Sequence, residues 1–350
     1  MQLSQFVFNY FKIIIMSYQV LISKTKRLLW KKLIRSLRDK PVYNKLYASY
    51  WHYKFRKNVV VSSNKQHYFT AIPNIGAGIG HQMANWISGY WFAKLLNLEF
   101  AHVPFSSSKW EKFLGFGADE VLADWLINIK GYKKVLLPLF DEHNPNDLNL
   151  IRCIIDSYRT EKIVFFAEQD QCYQAQYGIQ DTIRKKFYNS TARAHDSIIY
   201  DNKSFNIAVH VRRGDIVVGQ VNKNPNLLLR WQDNDYYINA IKNVLSILDV
   251  KKEIKVYIFS QGEGESFEEF NTVKNVQLCL DMNAQDTFLH MVHSDLLITS
   301  KSSFSYKPGL INNGIKVCPR NFWLGYPTTK DYILMNDDGS FSDTIKTIKC

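Results

Sequence analysis

The chain has 350 residues, 46% of them hydrophobic, which is enough for two domains of ordinary size with a core each. Its formal net charge of +12 first suggests a nucleic-acid binder, but thirteen Lys and Arg against one acid, Asp39, fall in residues 1–57, and the rest of the chain balances. A neutral body argues against nucleic acid as a partner, and five scattered cysteines with no C-x-x-C pair argue against a disulfide framework.

Residues 6–22, FVFNYFKIIIMSYQVLI, are mostly apolar. They fall short of the about 20 residues a spanning helix needs, and Lys12 near their middle costs about 2.5–3.5 kcal/mol in a bilayer. The segment reads as interfacial, with spanning left open if Lys12 reaches the surface. It does not read as a cleaved signal, since no basic residue precedes it and no small-residue cleavage site follows. In KTKRLLWKKLIRSLRDK, Trp30, Leu33, Ile34 and Leu37 share one helical face, and Lys26, Arg27, Lys31, Lys32, Arg35 and Arg38 surround the other. That pattern fits a helix lying on an anionic lipid surface, the alternative being a helix docked on the protein's own core. Residues 1–57 are therefore expected to form a membrane-associating arm. The basic cluster favours a body kept on the cytoplasmic side; a Golgi membrane location, the alternative, has the opposite orientation.

Next comes PNIGAGIGHQMANWISGYWFAKLLN, residues 73–97, where Gly76, Gly78 and Gly80 open an apolar helix. Such a loop lets backbone N–H groups approach a diphosphate, although glycines this dense also serve plain tight turns. Strands are expected near 99–105, 133–140 and 162–168. From Phe205 the alternation of strand and helix becomes regular. FNIAVHV (205–211) is a strand, DNDYYINAIKNVLSIL opens a helix, and IKVYIFS (254–260) is a strand. A helix near EGESFEEF follows, then the strand VQLCL (276–280) and the helix AQDTFLHMVH (284–293). DLLITS (295–300), SFSYKPGLIN (303–312) and IKVCP (315–319) complete the series as strand, helix and strand. This is the pattern of βαβ units and a parallel, doubly wound sheet, whose ligands sit at the carboxyl ends of the strands. The run FNIAVHVRRGD ends its strand at such a place in two guanidiniums, a glycine and a carboxylate. The division expected is an N-terminal α/β domain over 58–203 and a C-terminal nucleotide-binding domain over 204–350.

Two features imitate metal sites. Asp233-Asn234-Asp235 resembles a D-x-D motif but stands directly before an amphipathic helix, where aspartate caps. His290 and His293 are three apart in an apolar helix with no third ligand near, so they read as packing histidines. Cys279 and Cys318 lie in apolar runs and read as reduced core thiols.

Together the pieces resemble a known family. GAGIGHQMANWISGYWFAKLLN is similar to the N-terminal glycine motif of α-1,2-fucosyltransferases. HVRRGD matches the H-x-R-R-x-D motif shared by α-1,2-, α-1,6- and protein O-fucosyltransferases, and YYINAI and SDLLITSKSSFSYKPGLIN also resemble the α-1,2 group. The motifs stand in family order over roughly residues 72–325. The resemblance implies a GT-B fold of two Rossmann-like domains behind the basic helical arm. It also implies GDP-fucose as donor substrate, a glycan acceptor, inversion, and no metal or other cofactor. Carried over by position, Arg212 contacts the β-phosphate and His210 lies beside the nucleotide. Asp286 reads the guanine edge, and Ser302 and Ser303 hold the pyrophosphate, with Gly76, Gly78 and Gly80 lining the donor side. The chemistry agrees, because a departing diphosphate needs a fixed guanidinium, which meets phosphate in a bidentate way that lysine does not. The alternative for Arg212 is a surface ion pair with Asp215, for Asp286 a helix N-terminal acid, and for Ser302 an N-cap. Arg213 and Asp215 are expected to hold the loop in shape.

Four positions depart from the family. His81 stands where asparagine is usual, Gln220 fills the slot of a glutamate base of the α-1,6 enzymes, and Gln261 and Gly262 replace paired acids. Asp215, carried with Arg212 as a catalytic candidate, shares the part of possible base with His81 and Glu168, and a transfer with no strong base is also open. The functional expectation is a fucosyltransferase building a glycan. A GT-B transferase using another sugar nucleotide, or a non-catalytic membrane-associated protein on the same fold, are the alternatives.

Overall fold

The computed structural model describes residues 25–26, 28–56, 66–168, 175–217, 222–343 and 347–349. The apolar segment 6–22, Arg27, Gln220, Cys172 and Cys350 lie outside them. Two compact units result, one from residues 1–65 with 135–161 and the other from 66–134 with 162–350.

In the smaller unit a helix covers residues 28–37, followed by the helices Ala48–Phe55 and Pro145–Asp156. Its core is Ile34, Tyr43, Tyr47 and Leu139, with Trp30 and Leu136 partly buried against them. The Tyr43 hydroxyl accepts from the Leu139 N–H at 2.7 Å, and Arg56 pairs with Glu161 at 2.7 Å. Ile34, expected on a lipid-facing stripe, is only 1% exposed. The face carrying Trp30 and Ile34 is thus docked on the protein's own core, and the exposed apolar surface of this helix is that of Leu28, Leu29 and Leu33. Among the described residues no helix is long and apolar enough to cross a membrane.

The larger unit holds two parallel α/β sheets. Its strands are β1 (Tyr68–Thr70), β2 (Glu99–His102), β3 (Val121–Leu122), β4 (Lys133–Leu136), where the chain passes into the smaller unit, and β5 (Ile163–Phe166). After these come β6 (Phe205–His210), β7 (Leu248–Asp249), β8 (Ile254–Ser260), β9 (Val276–Leu280), β10 (Leu296–Ile298), β11 (Ile315–Pro319), β12 (Tyr332–Met335) and β13 (Ile348–Lys349). The first sheet runs β3-β2-β1-β5-β4 and the second β12-β11-β10-β6-β8-β9, with β13 and β7 forming a separate pair. Burial explains their composition. β5 and β6 are central and covered on both faces, so every residue of IVFF and FNIAVH is buried.

Chain order reverses direction at one place in each sheet. From β6 the chain goes outward to β8 and β9, and then returns to lay β10, β11 and β12 on the other side. β6 pairs with β8 from Phe205↔Ile254 to His210↔Phe259, and with β10 from Leu296↔Ile207 to Ile298↔Val209. The switch point therefore lies between β6 and β10, and in the first sheet it lies between β1 and β5. Loops diverge at such points, which leaves a crevice outside the carboxyl ends of the strands. These two doubly wound parallel sheets are the α/β architecture expected of a GT-B chain.

Cys279 and Cys318 are buried free thiols, and burial pushes Cys318 up to about 12, which leaves it an inert core group.

Candidate functional site

The crevice contains a cavity of about 590 Å³. The loop after β1 supplies Asn74 and Ala77 to His81, the end of β6 supplies His210 to Arg213 and Asp215, and β8 ends into it at Phe259, Ser260 and Gln261. Met282, Ala284 and Thr287 come from the segment after β9, and Ser302, Ser303 and Phe304 follow β10.

Arg212 leaves β6 at the switch point and Ser302 opens the Ser303–Ile311 helix after β10, so adjacent strands bring together residues 90 apart in sequence. Arg212 Nη1 donates to Ser302 Oγ at 2.9 Å, and Nη2 donates to Asp215 Oδ2 at 3.0 Å and Oδ1 at 3.3 Å. Ser302 Oγ also accepts the Phe304 N–H at 3.2 Å, so it caps the helix and fixes the guanidinium at once. The ion pair with Asp215 is present, as its alternative reading held, but Asp215 is 63% exposed, and the guanidinium still lies on the cavity wall. Ser303 shares that wall beside the helix N-terminus, where backbone N–H groups and the helix dipole favour an anion.

His210 is buried, and its Nδ1 shares a 2.7 Å hydrogen bond with Ser300 Oγ. Burial, helped by the charge of Arg212, pushes it down to about 3, so the ring stays neutral. Arg213 behaves as expected of a loop holder. It donates to the carbonyls of Arg212 at 2.9 Å and Gln232 at 3.1 Å and to Asn234 Oδ1 at 2.6 Å, and its guanidinium lies 4.2 Å over the Trp231 ring. Gly214 completes the turn at φ +65°, where a Cβ would stand 2.3 Å from Gln261 Oε1.

The glycines divide by role. Gly76 turns the chain at φ +86° without joining the cavity wall, and Gly78 lines the wall as the N-cap residue of the Ile79–Leu95 helix. Gly80 also lines it, but it lacks a side chain for a packing reason, since a Cβ there would meet Ser303 C and O at 2.7 Å. This close approach seats the two helix N-termini side by side at the crevice.

Asp286 has the position of its alternative reading, a helix N-terminal acid. It is an exposed acid in the first turn of the Ala284–His293 helix, it accepts from Asn283 Nδ2, and it is not on the cavity wall, whereas Ala284 and Thr287 are. Glu168 is buried away from that wall as well. Asp233 occupies the N-cap position before Asn234–Ile247, but its carboxylate accepts from Trp231 Nε1 at 2.5 Å and makes no side-chain cap bond. Capping by that side chain is therefore corrected: the indole N–H reaches it first. His290 is a packing residue, with Nε2 accepting the Ile199 N–H at 3.0 Å and Nδ1 donating to the Asp286 carbonyl at 2.6 Å.

Three basic groups collect around His81, which is exposed on the wall. Partial loss of water, then the charges of Arg230, Lys307 and Arg212, hold its ring below the usual histidine range. Arg230 lines the cavity 5.0 Å from the Trp323 ring centre. Lys307 is wholly buried in the Ser303–Ile311 helix, with no hydrogen-bond partner for Nζ among the described residues. Sequence reading passed over both. Arg230 carries no motif, but a lysine inside the apolar run FSYKPGLI is a signal that was there to be read.

No family model and no curated protein matches the chain. Among solved structures it is similar to the protein POFUT1 in complex with GDP, at 12% identity and a TM-score of 0.43, over 73% of this chain and 96% of that one. It is also similar to the NodZ α-1,6-fucosyltransferase soaked with GDP-fucose, at 15% identity and a TM-score of 0.39, over 71% and 93%. A further structure of the fucosyltransferase NodZ, from Bradyrhizobium, aligns at 14% identity and a TM-score of 0.38, over 72% and 93%.

Proposed function

We propose that this chain is an inverting glycosyltransferase that moves L-fucose from GDP-fucose to a hydroxyl of a glycan acceptor, most like the α-1,2 group. The observation that carries the proposal is Arg212. It is held by Ser302 and Asp215 at the switch point, its guanidinium on the cavity wall beside a helix N-terminus. A diphosphate leaving group gathers charge as its bond to the sugar breaks, and a guanidinium and N–H groups already aimed at that place stabilise it without reorganising. Ser303 and the start of the same helix add donors for the diphosphate. Neutral His210 gives the nucleotide a packed, uncharged wall. The H-x-R-R-x-D resemblance supports the sugar assignment.

One observation favours a second reading. With Asp286 off the cavity wall and Asp215, the carboxylate that is on it, paired with Arg212, no free carboxylate among the described residues lines the cavity to read a guanine edge, which leaves room for another sugar nucleotide on the same phosphate site. A panel of sugar nucleotides, read by release of the nucleoside diphosphate with glycan acceptors present, separates the two. GDP release from GDP-fucose alone supports the first, release from another donor supports the second, and no release from any donor removes both. Arg212→Lys should cost at least about 10²-fold in turnover, on the scale of one lost transition-state donor. Near-normal turnover in that variant would refute the role of Arg212.

The same proposal places residues 1–57 at an anionic membrane surface, with the body on the cytoplasmic side. Leu28 and Leu29, 62% and 61% exposed, lie among Lys26, Lys31 and Lys32 and support that reading. The full chain should bind phosphatidylserine-containing vesicles more weakly as salt rises, and indifference to them would end this part of it.

A further inference from the structure

Three groups on the cavity wall could accept a proton: His210, Asp215 and His81. The first two are committed. His210 is buried, its Nδ1 is bonded to Ser300, and it is pushed down to about 3. Asp215 has both oxygens on Arg212 Nη2. His81 differs from both, because no side-chain hydrogen bond holds its ring among the described residues. It stands in the first turn of the Ile79–Leu95 helix, and Gly80 beside it touches Ser303. The ring is therefore placed next to the residues that would carry the donor diphosphate, and it faces the open cavity.

We infer that His81 is the general base of the transfer and takes the proton of the acceptor hydroxyl. The inference rests on the glycosyltransferase reading above. In the step, the acceptor oxygen bonds to the sugar's anomeric carbon while the bond from that carbon to the β-phosphate oxygen breaks. The leaving electron pair stays on the nucleoside diphosphate, and the hydroxyl proton passes to a free ring nitrogen of His81 and then to water. A base must be unprotonated before it can act, and the surroundings arrange this. The groups that face the ring are Arg212 with its partner Asp215 from the loop after β6, Arg230, and Lys307 from the Ser303–Ile311 helix. The one carboxylate among them is already paired with Arg212, so positive charge dominates and protonation of His81 is disfavoured.

The test is the pH dependence of kcat/KM for the donor, which reports groups of the free enzyme. Wild type should show an acid limb with its inflection below pH 6.5, the ordinary histidine value, since burial and the neighbouring cations hold His81 lower. His81→Gln should lose about 10²-fold or more and lose that limb, while GDP binding stays within a few-fold of wild type. Added imidazole should restore part of the activity of His81→Ala, which a structural role for the ring would not produce. Arg230→Gln, with one facing cation removed, should move the limb up toward 6.5. If His81→Gln keeps both its activity and its acid limb, or loses activity without rescue of the alanine variant, His81 is not the base, although the transferase reading stands. If wild type turns over no sugar nucleotide, the transferase reading itself fails, and His81 falls with it.

Discussion

The two ends of the second sheet are made of similar residues and treat them differently. At the amino end, Asp295 Oδ2 accepts the Asn206 N–H at 2.7 Å, and Asn312 Nδ2 donates to the carbonyls of Met291, Val292 and Ser294 at 2.8–3.0 Å. Lys316, wholly buried, gives its Nζ to Asp331 Oδ2 and to the Gly314 carbonyl at 2.7 Å. Most polar groups named there satisfy one another, although Asn206 Oδ1 is buried with no hydrogen-bond partner among the described residues. At the carboxyl end, Arg212, Arg230 and His81 face a cavity, and nearby Lys307 is as buried as Lys316, yet its Nζ has no hydrogen-bond partner among the described residues and lies only against the Tyr306 ring, 5.0 Å from its centre. A buried amine with no hydrogen-bond partner is costly in its charged form, so burial pushes Lys307 toward neutrality, and the positive charge of this end is carried by Arg212 and Arg230 on the cavity wall. That end is where a diphosphate is proposed to bind.

The largest test of the comparison is to break the paired lysine. Asp331→Ala leaves the buried Lys316 ammonium without its carboxylate, with only the Gly314 and Asn312 carbonyls among the described residues to accept from it, and should cost about 3 kcal/mol of stability by urea unfolding. Lys316→Met should cost much less, because the Asp331 side chain is 37% exposed and can be hydrated. GDP affinity should stay unchanged in whichever variant folds, since both residues are at the far end of the strands. A loss from Asp331→Ala below about 1 kcal/mol would mean that the amino-end network is not the structural half of the sheet.

Much of this contrast was open to the sequence and some was not. β8, β9, β11 and the 284–293 helix carry their period so plainly that the expected and observed bounds agree. β1 did not show itself. Tyr68–Thr70 has three residues, too few for any period, yet it is the centre of its sheet. Arg212 and Ser302 were legible because each stands within a few residues of a strand's carboxyl end and carries a motif. The clustering of Arg230 and Lys307 around His81 was not, since it depends on which strands become neighbours at the switch point. Asp286 is legible in another way: its place in the motif and in the first helical turn could be read, but not that its carboxylate would accept from Asn283.

The second test is acid. His210 titrates at 6.5 when unfolded and near 3 in the fold, so between those values the unfolded chain holds the extra proton. The stability of the neutral buried ring is complete above pH 6.5. It should be lost at about 1.4 kcal/mol per pH unit as pH falls toward 3. Urea midpoints at pH 7 and pH 5 measure this, and His210→Gln should flatten the dependence. An equally steep fall in that variant would move the acid sensitivity to other groups.

The smallest effect, and the sharpest for the comparison, is expected from Lys307→Met. Methionine fills the same apolar space with nearly the same length and leaves no amine to be buried. Burial holds the Lys307 amine well below its ordinary 10.5, so over the intervening range the unfolded chain binds a proton that the folded chain does not. Folding stability of the wild type therefore rises with pH through that range, and the penalty is greatest at low pH. The variant should be more stable than wild type by about 1–2 kcal/mol at neutral pH, with the gain shrinking as pH approaches 10.5. Matched urea titrations at pH 6, 8 and 10 give the slope. If Lys307→Met is instead destabilised at neutral pH, the contact of the amine with the Tyr306 ring holds it as the ion pair holds Lys316, and the two ends of the sheet are alike in how they treat a buried charge.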